Sequence, residues 1–137
     1  MAPAVLYRLG EPNANVAMVQ LILRLTAVAG RAHELVHALQ PHVRRALHTD
    51  GCRTAYLAAD VEEAGVFWYC EDWDDTRALE SKVRTAQFAD LLELMEISGK
   101  PPQLEFRIVE EVKGLEYVAV LRGRTERDSR RNHDEEK

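Results

Sequence analysis

An aromatic strand followed at once by a helix start constrains this chain more than any other feature. Residues 65–73 have the sequence Gly-Val-Phe-Trp-Tyr-Cys-Glu-Asp-Trp, a glycine-led run of aromatic and β-favouring side chains that predicts a buried strand. Asp74, Asp75 and Thr76 follow, and their side-chain oxygens suit the free N–H groups and the positive dipole of a helix N-terminus. The segment therefore predicts a strand, a sharp turn and a helix that folds back over the sheet.

The other strands are predicted from alternating apolar residues. Residues 16–25 place Val19, Leu21, Leu23 and Leu25 on one side of a strand, and the other side is mixed. Further strands are predicted over residues 52–59, over residues 103–112 as a fourth core strand, and over residues 115–121. The loop at residues 60–64 is of the length that joins antiparallel neighbours.

Two helices are predicted from apolar stripes with helical spacing. The helix over residues 31–47 has Pro41 inside its pattern, so a kink or break near Gln40 is expected. The helix over residues 75–97 divides into two pieces and is stopped by Gly99 with Pro101 and Pro102. The stripe of the first helix consists of Ala32, Leu35, Val36, Leu39, Val43, Ala46 and Leu47, and that of the second of Leu79, Val83, Phe88, Leu91, Leu92 and Met95.

The order of elements predicts an α+β, ferredoxin-like fold with the split βαβ arrangement. An antiparallel sheet with both helices on one face leaves its other face uncovered, with Met18, Gln20 and Ile22 among the residues there. An apolar sheet face of that size is typical of an interaction surface. We therefore expect a homodimer that pairs through the open face, with the strand at residues 115–121 reaching across.

Length and charge limit the remaining possibilities. The 137 residues suit one domain, predicted over residues 16–121, with an irregular lead-in over residues 1–15 and a charged, flexible tail over residues 122–137. The net charge of −5 argues against a nucleic-acid surface and an anionic membrane surface. The longest apolar run, residues 16–29, is too short to cross a bilayer, and no signal peptide is recognised, so a cytoplasmic protein is expected.

The two cysteines, Cys52 and Cys70, lie on predicted strands that could be neighbours. Their spacing permits a disulfide, and the cytoplasmic expectation favours reduced thiols.

The order and spacing of several short motifs from about Val16 to about Val112 resemble the antibiotic biosynthesis monooxygenase family. These motifs are Arg24-Leu25-Thr26 with Gly30, Asp50-Gly51-Cys52, Glu71-Asp72-Trp73 with Asp74, Leu79, and Gln87-Phe88 with Leu91-Leu92. The resemblance implies a dimeric α+β barrel, in which two ferredoxin-like subunits pair sheet to sheet. It also implies activities that range from cofactor-free oxygenation of quinols and phenols to haem degradation and isomerisation.

The sequence departs from the family pattern where chemistry is expected. Many members have a histidine just before the Phe of the second helix, and this chain has Gln87, whose amide can orient a substrate but cannot act as a general base. Haem-degrading members use an asparagine, a tryptophan and a histidine at positions that correspond to about Leu23, Lys82 and Leu92. Haem is therefore disfavoured, and no cofactor is predicted.

Five residues are the candidates for binding a small aromatic ligand: Tyr56, Trp68, Tyr69, Arg84 and Gln87. Trp68 and Tyr69 point to opposite faces of one strand, and whichever faces the helices could line a pocket or pack in the core. Tyr56 could add a hydroxyl to the same cavity. Arg84 and Gln87 lie at the break in the second helix, where Arg84 could hold a phenolate or remain a surface residue.

Three further residues or motifs are given structural rather than catalytic roles. The sequence His33-Glu34-Leu35-Val36-His37 has the HExxH pattern of zinc peptidases. The apolar stripe turns both histidines away from the core, so a solvated helix face is predicted and no metal site. Trp73 is expected in the core, and Arg24 is expected to form an ion pair at the dimer contact.

The sequence thus supports two hypotheses. The first is a cofactor-free monooxygenase acting on an aromatic or quinol-type molecule. The second is a non-catalytic small-molecule-binding or assembly module on the same fold, which the missing histidine favours.

Overall fold

A computed structural model describes residues 18–123 of the chain, which divides into two compact units. The larger unit, residues 16–110, contains all four strands and three helices. These elements are β1 (Met18–Thr26), α1 (Ala32–Leu47), β2 (Cys52–Ala59), β3 (Val66–Trp73), α2 (Thr76–Val83), α3 (Ala86–Glu96) and β4 (Gln103–Val109).

The four strands form one antiparallel sheet in the order β2-β3-β1-β4. β1 and β3 are the central strands, and their register places Leu21 opposite Glu71 and Leu23 opposite Tyr69. β2 and β4 are the edges. The ferredoxin-like split βαβ arrangement is confirmed, as is the division of the second helix into two pieces.

The core lies between one face of the sheet and the three helices. The alternating residues predicted for β1, Val19, Leu21, Leu23 and Leu25, are all buried at 1% exposure or less. They pack in one cluster with side chains from each helix, namely Leu35, Leu39, Leu79, Phe88 and Leu91. Alternate residues of a strand point to the same face of the sheet, and helix residues three or four apart point to the same side of the helix. The apolar residues of β1 and of the helices can therefore pack against each other.

None of the three helices of the larger unit lies over the opposite face of the sheet. β1 presents Met18, Gln20, Ile22 and Arg24 there, all half-buried, and β3 presents Trp68. Gln20 donates a hydrogen bond to Asp72 at 3.0 Å across the strands, and the Arg24 guanidinium lies 5.7 Å from the centre of the Trp68 ring. Arg24 forms an ion pair within the chain, with Glu63 at 3.2 Å, and the ion pair predicted for it at a dimer contact stays a prediction.

The prediction of a strand over residues 115–121 is wrong, because residues 116–123 are helical. The helix begins with hydrogen bonds from Tyr117 N–H to the Gly114 carbonyl and from Val118 N–H to the Leu115 carbonyl. A helix closes its hydrogen bonds locally, so this segment needs no neighbouring strand. The predicted tail began at residue 122, so its first two residues belong to this helix, while residues 124–137 and the lead-in over residues 1–15 lie outside the described residues.

Two details of the larger unit also differ from prediction. α1 runs unbroken through Pro41, so the predicted break near Gln40 does not occur. β4 is an exposed edge strand rather than a core strand: Phe106 is 46% exposed and Ile108 71%. Phe106 pairs with Leu21 and Ile108 with Val19, so both side chains point to the helix-covered face and are nevertheless exposed at the edge of the sheet.

Cys52 and Cys70 are free thiols. Cys52 pairs with Trp73 across the strands and Cys70 with Tyr56, so the two thiols lie far apart along the β2–β3 pair and on opposite faces. None of the helices in residues 18–123 is both long and apolar enough to cross a membrane.

Candidate functional site

The five predicted site residues do not converge on one cavity. Tyr69 faces the helices and is fully buried, whereas Trp68 and Tyr56 belong to the opposite face of the sheet. Trp68 borders a surface pocket beside Asp60, to which its indole N–H donates a hydrogen bond at 3.2 Å. Gln87 is exposed on the first turn of α3. Arg84 alone lies in a pocket formed by the helix break.

Tyr69 belongs to a buried polar cluster centred on Glu71, whose side chain is 0% exposed. The Tyr69 hydroxyl donates to Glu71 Oε2, and the Trp73 indole N–H donates to Glu71 Oε1 at 3.0 Å. The Nζ of Lys82, 3% exposed, lies 3.7 Å from Glu71 Oε2. With both oxygens occupied and no contact with solvent, Glu71 cannot take a proton from a substrate, so the cluster is structural.

Sequence reasoning missed Glu71 and Lys82 as members of this cluster. Tyr69, Glu71 and Trp73 are alternate residues of β3, so their side chains share a face. This spacing could have predicted that Glu71 lies between the two aromatic side chains. Lys82 is three residues after Leu79 and therefore lies near the buried stripe of α2. The sequence could not show that the lysine turns inward, because that depends on the carboxylate that meets it.

A second buried polar residue, His42, was also missed. It is 4% exposed on α1, and no described residue forms a hydrogen bond with its Nδ1. Burial lowers its pKa, as do the nearby charges of Arg45 and Lys82, against the opposing effect of Asp90. His42 therefore stays neutral at neutral pH. Its spacing from Leu39 and Ala46, three and four residues away, was the signal that could have placed it on the buried stripe.

The pocket that contains Arg84 lies between α2 and β4, and we call it the α2–β4 pocket. Its volume is about 390 Å³, and it is lined by Leu79, Glu80, Val83, Arg84 and Phe106. Three of these side chains are apolar, and Phe106 presents an aromatic ring from the edge strand. An apolar pocket with a few charged groups at its margin is typical of a small-molecule site, and this volume is within the range of such sites.

The α2–β4 pocket exists because the second helix is broken and β4 is an edge strand. α2 ends at Val83 and α3 begins at Ala86, with Thr85 between them as the N-cap of α3. The Thr85 hydroxyl accepts from Phe88 N–H at 3.2 Å and donates to the Lys82 carbonyl at 2.7 Å, which fixes the turn. Arg84 is therefore held at the turn rather than inside a helix.

Other pockets of the larger unit offer a less favourable combination of groups. One of about 360 Å³ lies between α1 and α3, and its two charged residues, Arg31 and Glu34, already pair with each other at 3.1 Å. A groove of about 530 Å³ runs between α1 and the edge strand β2 and is lined in part by Tyr56 and Arg44. A hydrogen bond with Cys70, and then burial, raise the pKa of Tyr56 to about 12, so its hydroxyl is not a base at neutral pH.

Nucleophilic and metal chemistry find little support among the described residues. Burial, followed by the charge of Glu71, raises the pKa of Cys52 to about 12, so its thiol stays protonated. His33 and His37 stack with ring centroids 6.2 Å apart on the exposed side of α1, as the solvated-face prediction requires. No group of three or more potential metal ligands occurs within residues 18–123.

Comparison with known proteins gives one family and a set of similar folds. Residues 18–94 match the model of the family described as antibiotic biosynthesis monooxygenase. None of the curated proteins matches the sequence significantly.

Three solved structures illustrate the structural likeness. A proposed antibiotic biosynthesis monooxygenase from Deinococcus radiodurans is 19% identical, with a TM-score of 0.66 over 72% of this chain and 98% of its own. A Pseudomonas aeruginosa protein is 24% identical, with a TM-score of 0.60 over 70% and 95%. A possible oxidoreductase of unknown function from Bacteroides thetaiotaomicron is 20% identical, with a TM-score of 0.61 over 69% and 98%. At these identities the structures establish the shared fold.

Proposed function

The chain belongs to the antibiotic biosynthesis monooxygenase family, and from that premise we propose that it is a cofactor-free monooxygenase acting on an aromatic or quinol-type small molecule. The observation that carries the proposal is the α2–β4 pocket, which joins an aromatic and two aliphatic side chains to the guanidinium of Arg84. An aromatic ring can pack on Phe106, Leu79 and Val83. Arg84 can then pair with an oxygen anion on that ring, because its charge is permanent and its N–H groups form a fork.

The reaction needs only the substrate anion and molecular oxygen. The anion, held against Arg84, transfers one electron to O₂ to give a substrate radical and superoxide. The two combine into a peroxide anion, which takes back the proton released when the substrate anion formed and becomes a hydroperoxide. Loss of water from the hydroperoxide then converts a ring CH₂ group into a carbonyl. One oxygen atom therefore enters the product and the other leaves as water. The protein contributes by stabilising the anion in a partly apolar site, where a paired charge interacts more strongly than in bulk water.

We further propose that the protein is a cytoplasmic homodimer that pairs through the open face of the sheet. The support is the half-buried apolar surface of β1 and β3, with Ile22 and Trp68 near its middle. Tyr56, 51% exposed on the neighbouring strand, adds aromatic area to the same face.

A second candidate function is small-molecule binding without turnover. The observation that favours it is Gln87, an exposed amide at the position where many family members have a histidine. In this case the α2–β4 pocket would still bind an aromatic anion and the protein would not consume oxygen.

The test is oxygen uptake and calorimetric binding with a panel of anthrones and quinols. We expect Arg84→Gln to lower kcat/KM about tenfold or more, because a hydrogen bond to a charged group contributes about 1.5–3 kcal/mol. The matched control is Arg77→Gln, an exposed arginine on the same helix that does not line the pocket. Binding without oxygen uptake would support the second candidate. No binding by any member of the panel would overturn both.

A further inference from the structure

The α2–β4 pocket contains two opposite charges, Glu80 and Arg84, that pair with none of the residues the structure describes. Glu80 lies on α2, Arg84 follows four residues later as the C-cap of that helix, and both line the pocket. A glutamate four residues before a basic residue on a helix commonly forms an ion pair with it. Here neither residue forms an ion pair or hydrogen bond with any described residue. Both charges are therefore available to a ligand in the pocket.

The two charges can do different chemistry. A guanidinium donates hydrogen bonds and does not accept a proton, so Arg84 can hold an anion but cannot generate one. Leu79, Val83 and Phe106 have no titratable group. Among the residues that line the pocket, only the Glu80 carboxylate can accept a proton, and Glu is one of the residue types that act as general bases.

We propose that Glu80 is the general base of this pocket and that the substrate is a hydroxylated aromatic that binds as the neutral molecule. This inference rests on the proposed function. An O–H bond of the substrate breaks, its proton moves to the Glu80 carboxylate, and the electron pair stays on the oxygen beside Arg84. After oxygen has added, the protonated Glu80 gives this proton to the peroxide anion, which restores the carboxylate, and the resulting hydroperoxide loses water.

The assignment has a consequence for substrate choice. A substrate must carry a hydroxyl, or a keto group able to form one, that lies between Glu80 and Arg84 while its ring rests on Phe106. An O-methylated analogue keeps the ring but has no proton to give, so we expect it to bind in the same pocket and to consume no oxygen. With Glu80 as the base, the reaction does not need the histidine that many family members have where this chain has Gln87.

The experiment is Glu80→Gln, which keeps the size of the side chain and removes the base. We expect oxygen uptake at neutral pH to fall about 100-fold or more, which is the lower end of the contribution of a general base. Binding of the O-methylated analogue, followed by calorimetry, should stay close to that of the wild type. The residual rate of the variant should rise about tenfold per pH unit while the substrate is still protonated in solution, since the variant depends on the anion formed there. The wild-type rate should depend less steeply on pH.

The matched control is Glu93→Gln, an exposed glutamate on α3 that does not line the pocket. It should keep the wild-type rate and pH profile. Wild-type turnover that Glu80→Gln retains, or an unchanged pH profile in the variant, would overturn the role of Glu80 and leave the proposed function standing. Wild-type protein that binds the panel without oxygen uptake would overturn the monooxygenase and, with it, this inference.

Discussion

At the scale of single residues, the Glu71 cluster shows how this core tolerates a charge. A buried carboxylate is strongly unfavourable unless it is paired and hydrogen-bonded. Tyr69 and Trp73 supply two donors from the same strand, and Lys82 supplies the opposite charge from α2. The cluster therefore connects β3 to α2, the helix that carries Glu80.

Removing the Tyr69 hydroxyl should destabilise the protein without changing its fold. We expect Tyr69→Phe to lower the free energy of unfolding at neutral pH by about 1–3 kcal/mol, because a buried carboxylate oxygen loses a donor. Chemical denaturation followed by circular dichroism measures the change. The control is Tyr117→Phe, on the partly exposed helix of residues 116–123, which should change the free energy by less than about 0.5 kcal/mol.

The stabilisation that Tyr69 provides should decrease at high pH, and Tyr69→Phe makes this decrease measurable. Burial, and then the adjacent Glu71 carboxylate, raise the pKa of Tyr69 above its usual value near 10. The unfolded chain therefore releases this proton first, so the stability that Tyr69 contributes is present below about pH 10 and is lost as the pH rises further. The gap in stability between wild type and Tyr69→Phe should narrow above that pH. A constant gap across the range would contradict the assignment.

At the scale of elements, the break between α2 and α3 positions the candidate site. Each helix has its own N-cap: Asp75 accepts from Ala78 N–H at 2.9 Å, and Thr85 accepts from Phe88 N–H. Two capped short helices can bend over the sheet where one long helix would run straight. The turn between them places Arg84 beside the exposed face of Phe106.

Loss of the second cap should weaken this turn. Thr85→Ala removes the acceptor for Phe88 N–H and the donor to the Lys82 carbonyl, and we expect it to lower the free energy of unfolding by about 1 kcal/mol. Thermal unfolding measured by calorimetry would detect the change. Thr76→Ala, at the exposed start of α2, provides the comparison, since Asp75 is the N-cap there and the Thr76 hydroxyl forms no hydrogen bond with any residue in 18–123. Equal effects of the two substitutions would mean that the Thr85 hydroxyl does not stabilise the break.

At the scale of the whole molecule, the main feature of the larger unit is the sheet face opposite its helices, where apolar side chains remain partly exposed to solvent. Its centre is occupied by Ile22, which lies between Cys70 and Glu105 on the neighbouring strands. Trp68 contacts the Arg24 guanidinium and donates a hydrogen bond to Asp60, so its ring has partners on this face. A second copy of the sheet would cover these side chains.

A charge in the middle of that face should therefore prevent dimerisation. If the protein is the proposed homodimer, we expect Ile22→Glu to make it a monomer at micromolar concentration, because an unpaired charge buried in the interface costs several kcal/mol. Analytical ultracentrifugation measures the mass directly. Val61→Glu, at a fully exposed loop position, should leave the dimer intact. A wild-type protein that sediments as a monomer would remove the homodimer from the proposal.

The sequence determined the order and nature of the main elements because their signals are local. The alternation of Val19, Leu21, Leu23 and Leu25 specified both the strand and its buried side, and Asp75 lay in the predicted start of the second helix. Predictions from local patterns failed where the structure of a segment depends on contacts with distant parts of the chain. Residues 115–121 alternate well enough for a strand, and they became helical with no sheet neighbour.

Only the tertiary structure decided which side chains meet. The sequence placed Trp68 and Tyr69 on opposite faces and could not say which face the helices cover, because that choice depends on the pairing of β3 with β1 and β2. It likewise identified Arg84 at a helix break and could not bring Glu80 and Phe106 to the same pocket, since Phe106 comes from a strand more than twenty residues further along the chain. Spacing along a chain fixes neighbours within an element, whereas a site is made of groups from separate elements, and their distances are set only when the core packs.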